Sequence, residues 1–276
     1  MTTVGEVVRT HANGTCSTAA VKGLSLQIID EMNLLIPNVL VSFDDLDVSG
    51  DDATVNFFMQ PKAKEALRRA IRRRGTTLRL NSAYRTIVQQ HILFSWQGSC
   101  GISIAAKPGR SNHEDGFAID TPDWNAWRPA LEAEDWEHFG RGDEVHFTYV
   151  GGGVRDDIGD IGVKAFQTLW NKHNPTDQIQ VDSDYGPETA ARLNRSPVNG
   201  FVRARILKLI TPPMQGEDVQ KVQKALVNQG FLDAEQISGA YDAATEFAIK
   251  EFQKREALSI DGQVGPQTCR ALKIAA

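Results

Sequence analysis

Two stretches in the second half of the chain carry the same turn: "VDSDYGPETAARL" at 181–193 and "IDGQVGPQTCRAL" at 260–272. Asp182, Gly186, Pro187, Thr189 and Leu193 of the first correspond in spacing to Asp261, Gly265, Pro266, Thr268 and Leu272 of the second. Each copy is a turn with proline near the start of a short helix, preceded by "AFQ" at 165–167 or "EFQ" at 251–253. A repeat with fixed spacing commits this half to small helical units. The second copy is the fuller one. "GEDVQKVQKALVNQGF", 216–231, predicts an amphipathic helix packing through Val219, Val222 and Leu226, with a glycine stop, and "GAYDAATEFAIKEFQ" follows at 239–253. The first copy, 161–201, lacks the leading "DVQ" helix and reads as a degenerate half-repeat bridging to the first half.

The rest of the 276 residues is long enough to bury a core of its own. The net charge of -5 carries no basic footprint for nucleic acid. The one basic cluster, "RRAIRRR" at 68–74, has a local reason. Pro61 opens a helix with Ala63, Ala66, Leu67, Ala70 and Ile71 on one face, Gly75 closes it, and cations suit its C-terminal turn. No run reaches the apolar length of a membrane span. The three cysteines are too few and scattered for a zinc knuckle or disulfide framework, although Cys16 and Cys100 could pair in an oxidising compartment. "MTTVGEVVRTHANGT" lacks the layout of a secretory signal.

A helix is expected over 25–35, with Ser25 as its cap and Pro37 beyond its end. "TLRLNSAYR", 77–85, reads as a strand with Arg85 at its exit, and "TIVQQHILFSWQ" returns to helical spacing. Residues 98–112 are loop-like; "GFAID", 116–120, and "VHFTYV", 145–150, are strands.

Of six histidines, His113 and His146 sit in contexts that suggest chemistry. On an extended "GFAID", Gly116, Ala118 and Asp120 share one face, with room left beside Asp120, while Phe117 and Ile119 pack on the other. His113, on the loop before this strand, can reach back to the same point, and His146 from an adjacent strand would complete two histidines and a carboxylate. That donor set with an open position suits catalytic zinc, which lowers the pKa of a bound water to about 7. The same set describes the facial triad of a non-haem iron oxygenase. His138, in "WEHFG", is read as structural. Asp143 and Glu144 compete as the base: strand parity places Glu144 on the side of His146 and Asp143 away from it, whereas Gly142 permits a turn that breaks the parity.

"SNHEDGFAID" resembles the Ser-x-His-x-x-Gly-x-Ala-x-Asp motif of the zinc D-alanyl-D-alanine peptidases, which include the vancomycin-resistance enzymes and some phage endolysins. Ser111, His113, Gly116, Ala118 and Asp120 occupy every fixed position. The family's second motif is an acid, two residues, then histidine; "DEVH" supplies Asp143 and His146, with Val145 where tryptophan is usual. The resemblance spans about 77–150. It implies His113, Asp120 and His146 as Zn2+ ligands, Asp143 as general base, Arg85 in "SAYRT" on the substrate and oxyanion, and Ser111 beside the site. "DVQKVQKAL", "GAYDAAT", "AIKEFQ" and "DGQVGPQT" resemble the peptidoglycan-binding module of cell-wall hydrolases, which implies three helices that dock on the wall.

The resulting expectation is an α+β chain: a zinc-peptidase domain at 1–155 with a small antiparallel sheet and flanking helices, the half-repeat and linker at 156–212, and a peptidoglycan-binding helical module at 213–276. Its partner is peptidoglycan, with no nucleic acid and no membrane span, acting as a monomer at the bacterial cell wall. Export would follow phage-type release, a secretion system, or a signal trimmed from the chain. The rival from another class is a non-catalytic wall-binding protein.

Overall fold

The computed structural model describes residues 2–10, 16–201 and 205–274, with Pro266 and Arg270 by backbone alone. The chain divides into two compact units, Met1–Phe201 and Val202–Ala276.

The first unit has two cores. In one, α2 (Lys22–Leu35), α4 (Ile87–Ser95), α6 (Ile158–His173) and α7 (Pro187–Arg195) pack around Leu24, Ile28, Val88, Ile92, Phe166 and Leu193. α1 (Val4–Thr10) lies against α4 and α7. Ser25 is not the cap expected of it. The chain enters α2 through a 3-10 turn capped by Ser17, and Ser25 is buried inside the helix, its hydroxyl 2.9 Å from that of Thr86. Cys16 and Cys100 are joined in a disulfide across 84 positions.

The second core lies under the sheets. α3 spans Pro61–Arg74 and ends at Gly75, whose φ of 69° places it in the left-handed region. Its arginines are used within the unit: Arg69 and Arg73 pair with Glu134, Arg68 with Asp45, and Arg74 stacks over Trp127. β1 (Val41–Ser42) pairs antiparallel with β3 (Phe58–Met59), and β2 (Val48–Gly50) pairs parallel with β4 (Leu78–Leu80). β5 (Ala118–Asp120), β6 (Trp136–His138) and β7 (His146–Tyr149) form an antiparallel sheet in the order β5-β7-β6, with α5 (Trp124–Glu132) between β5 and β6 in sequence. Side chains alternate across it. Ile119, Phe147, Trp136 and Tyr149 enter the core, which turns Asp120, His146 and Thr148 to the other face.

The second unit packs α8 (Glu217–Asn228), α9 (Ala243–Arg255) and α10 (Pro266–Ala271) around Val222, Leu226, Tyr241, Ile249 and Phe252. A buried glutamine organises each turn. Gln223 Nε2 donates to Ser238 Oγ, Ala240 O and Thr245 Oγ1 at 3.3, 3.0 and 3.0 Å, and its Oε1 accepts the Gly239 N–H at 2.9 Å. Gln253 does the same with Asp261, Gln263 O, Thr268 and the Gly262 N–H.

Gln167 of α6 makes a third such lock inside the first unit. Its Nε2 donates to Asp182 Oδ1, Asp184 O and Thr189 Oγ1, which lie 15, 17 and 22 positions on, the same steps found from Gln223. The first copy therefore follows the geometry of 223–245 and has its leading helix, α6, without the "DVQ" letters that were expected to mark one. Its apolar face (Ile158, Ile161, Phe166 and Leu169) is absorbed into the first unit's core, and the contact boundary falls after Phe201.

Candidate metal centre

Residues 81–85 run beside β5: Asp120 N donates to Ser82 O at 2.9 Å and Asn81 N to Asp120 O at 2.8 Å. Arg85 N then donates to His113 O at 3.1 Å, which ties the "SAYR" segment to the loop that carries the first histidine. That loop is held from inside. Glu114 is buried, and its carboxylate accepts the Gly109 N–H at 2.9 Å and the Ser111 N–H at 3.2 Å. Burial pushes the Glu114 carboxyl up to about 8 against these hydrogen bonds, and pushes Asp115 up to about 6. Gly116 follows with a φ of 68°, which favours glycine, and a Cβ there would also press on Leu40 Cδ2 at 2.7 Å.

These supports bring three donors together. His146 Nδ1 is 3.0 Å from Asp120 Oδ1, His113 Nε2 is 3.2 Å from the same oxygen, and the two imidazole nitrogens are 3.2 Å apart. His113 Nδ1 lies 2.8 Å from the Ala83 carbonyl, which can only accept, so the proton sits on Nδ1 and the Nε2 lone pair faces the cluster. Burial opposes ionisation of Asp120, but His113, His146 and Arg85 outweigh it and hold the carboxyl well below the usual carboxylate range. Burial, then Arg85, also lowers the His113 imidazole, which favours the neutral ligand form. An imidazole lone pair and a carboxylate at this distance repel unless a proton or a metal ion lies between them. Donors about 2.0–2.1 Å from a tetrahedral ion are separated by roughly 3.3 Å, so the triangle has the size a zinc-like ion requires. His146 Nε2 is 3.0 Å from Thr148 Oγ1, which also accepts from Asn112 Nδ2 at 3.3 Å, so the second ring is oriented from behind as well.

Arg85 borders the cluster. Its Nη2 is 3.5 Å from Asp120 Oδ2, Nε donates to Ser82 Oγ at 3.3 Å, and Nη1 donates to Gln90 Oε1 at 3.2 Å. Desolvation lowers its pKa, opposed by Asp120, Glu114 and Asp143. Asp143 is among the charges acting on it. Both acids are exposed in the turn before β7, and the strand begins only at His146, so strand parity does not reach either of them. The Asp143 carboxylate makes no hydrogen bond or ion pair among the described residues. Ser111 is buried with its backbone on Glu114.

His138 is not part of the cluster. Its ring stacks on Trp124 (5.0 Å, 11°), and its Nε2 donates to the Glu144 carbonyl at 2.7 Å, pinning the turn that carries Asp143. Gln90 is a residue that sequence reasoning missed: it is buried, and it joins Arg85 to the Ala106 carbonyl at 2.8 Å. Its only signal was a glutamine on the apolar face of a helix.

Residues 59–147 match the model of the D-alanyl-D-alanine carboxypeptidase family, a class of metal-dependent peptidases whose matched segment contains Arg85, Ser111, the three donors and Asp143. Residues 215–272 match the peptidoglycan binding domain, which covers α8 to α10. Together the matches mark a peptidase that acts on peptidoglycan, at the cell wall. Neither a curated protein nor a solved structure matches the chain. No helix among the described residues is long and apolar enough to cross a membrane.

Proposed function

We propose that the chain is a zinc-dependent peptidoglycan peptidase that hydrolyses a stem-peptide bond involving a D-amino acid, as a D,D-carboxypeptidase or a lysin-like endopeptidase. The observation that carries this reading is the triangle of His113, Asp120 and His146 donors inside the family-matched segment. Bound zinc would polarise the scissile carbonyl and make water nucleophilic at neutral pH. Asp143 accepts the proton of the attacking water and returns it to the leaving amine. Arg85, held by Ser82 and Gln90, donates to the carbonyl oxygen as negative charge gathers there. Ser111 lines the site beside His113. The disulfide supports work in an oxidising compartment.

Digestion of purified sacculi followed by mass spectrometry of the muropeptides tests this. The expected result is a single class of cleaved D-amino-acid bond, abolished by a chelator and restored by zinc. Release that survives full chelation, or no release by the zinc-loaded protein, overturns it.

A further inference from the structure

The sheet register places a third residue in the row that holds two of the metal donors. Asp120 of β5 is directly opposite His146 of β7, and His138 of β6 is opposite Phe147. The next residue of the β6 chain, Phe139, is therefore opposite His146, and its N–H donates to His146 O at 3.1 Å. Directly opposed residues share a face, so Phe139, His146 and Asp120 form one row on the side away from the core. The ring of Phe139 meets that of His146 edge-on, with centroids 5.9 Å apart. His146 is 7% exposed, whereas Phe139 is 67% exposed. It is followed by Gly-Arg-Gly-Asp-Glu, all polar or small, so no apolar neighbour in the turn explains it. Its strand neighbour His138 points the other way and is fixed by Trp124, Phe147 and the Glu144 carbonyl, which holds the strand end in place.

We infer that Phe139 is a specificity-determining residue: its exposed face is the apolar wall against which the side-chain methyl of the leaving D-alanine packs. The side is set by the turn. Asp143, which delivers a proton to the leaving amine, stands four residues beyond Phe139 on the same hairpin, while Arg85 stands at the opposite end of the row beside Asp120. A leaving residue served by Asp143 thus lies over the Phe139 ring. This inference rests on the peptidase reading above.

The test uses the full, zinc-loaded chain and two peptides that differ only in D-alanine or glycine on the leaving side of the bond it cuts. One methyl against an apolar surface is worth about 10-fold in kcat/KM, and the wild type is expected to favour D-alanine by that order. Phe139→Ala brings the ratio to within about 2-fold by a rise in KM for the D-alanine peptide, and Phe139→Leu retains most of it. Zinc content and melting temperature, measured on each variant, separate this from damage to the centre. A ratio unchanged in Phe139→Ala overturns the inference and leaves the peptidase reading standing. Failure of the wild type to cut any stem peptide overturns that reading and the inference with it.

Discussion

At the scale of single residues, the centre depends on which atoms lack a partner. His113 Nδ1 is engaged by Ala83 O, so its Nε2 meets Asp120 favourably only with a proton or a metal ion between them. The role proposed for Asp143 needs a carboxylate that can move a proton, and that carboxylate has no hydrogen bond or ion pair among the described residues. Asp143→Asn is expected to retain zinc and lose about 100- to 10,000-fold in kcat, with Glu144→Gln close to wild type. Metal analysis beside single-turnover kinetics on muropeptides checks both, and an active Asp143→Asn protein would return the role to Glu144. A second residue-scale expectation concerns His91, buried between Tyr185 Oη at 2.6 Å and Asn194 Oδ1 at 3.0 Å. Burial holds its imidazole below the ordinary value, against the help of Asn194. The folded state then binds fewer protons than the unfolded one, whose histidine titrates near about 6.5. Its stabilisation is complete above that pH and is lost as pH falls from there through the lower folded value. The melting temperature of His91→Gln should accordingly fall less than that of wild type between about pH 7.5 and 5.5.

At the scale of elements, a short glutamine-centred lock recurs three times in two settings. In the second unit it fastens the turns of a small helical module; in the first it fastens α6 to α7. Gln167→Ala would remove the partner of the Asp182 and Ser183 N–H groups and of the buried Thr189 hydroxyl. A loss of about 2–4 kcal/mol in the first unit is expected, read as a lowered first-unit transition in calorimetry. Gln253→Ala should lower the second unit's transition alone. The α6 helix also braces the centre: Gly159 N donates to Asp115 Oδ1 at 2.9 Å, and a Cβ on Gly159 would stand 2.6 Å from Gly109 O, so only glycine lets the helix approach the histidine loop. Element boundaries were readable where chemistry marks them. Pro61 and Gly75 delimit α3 as expected, because ring and left-handed turn are local constraints. Ser25 misled because a serine beside an apolar run also suits a buried hydroxyl pair, and its partner Thr86 is 61 positions away.

At the scale of the whole molecule, the candidate metal centre and the segment matching the peptidoglycan binding domain are in separate compact units, each with its own core. A chain ended after Phe201 is expected to cut soluble stem peptides at nearly the full rate and intact sacculi about 10-fold or more slowly, because tethering raises local substrate concentration. Equal loss on both substrates would show that the second unit serves folding instead of attachment. By itself the sequence singled out the two histidines and the aspartate that the fold brings together, and it determined the helix of arginines and the presence of a repeat. Each is written in residue types at short fixed spacings, set by a strand's alternation or a turn's geometry. Only the tertiary structure decided that the first repeat copy belongs to the first unit, that the strand begins at His146 and releases Asp143 and Glu144 from its parity, and that Phe139 joins the row of Asp120 and His146. Those outcomes depend on pairing and packing between segments tens of residues apart, and no local pattern records which segments will meet.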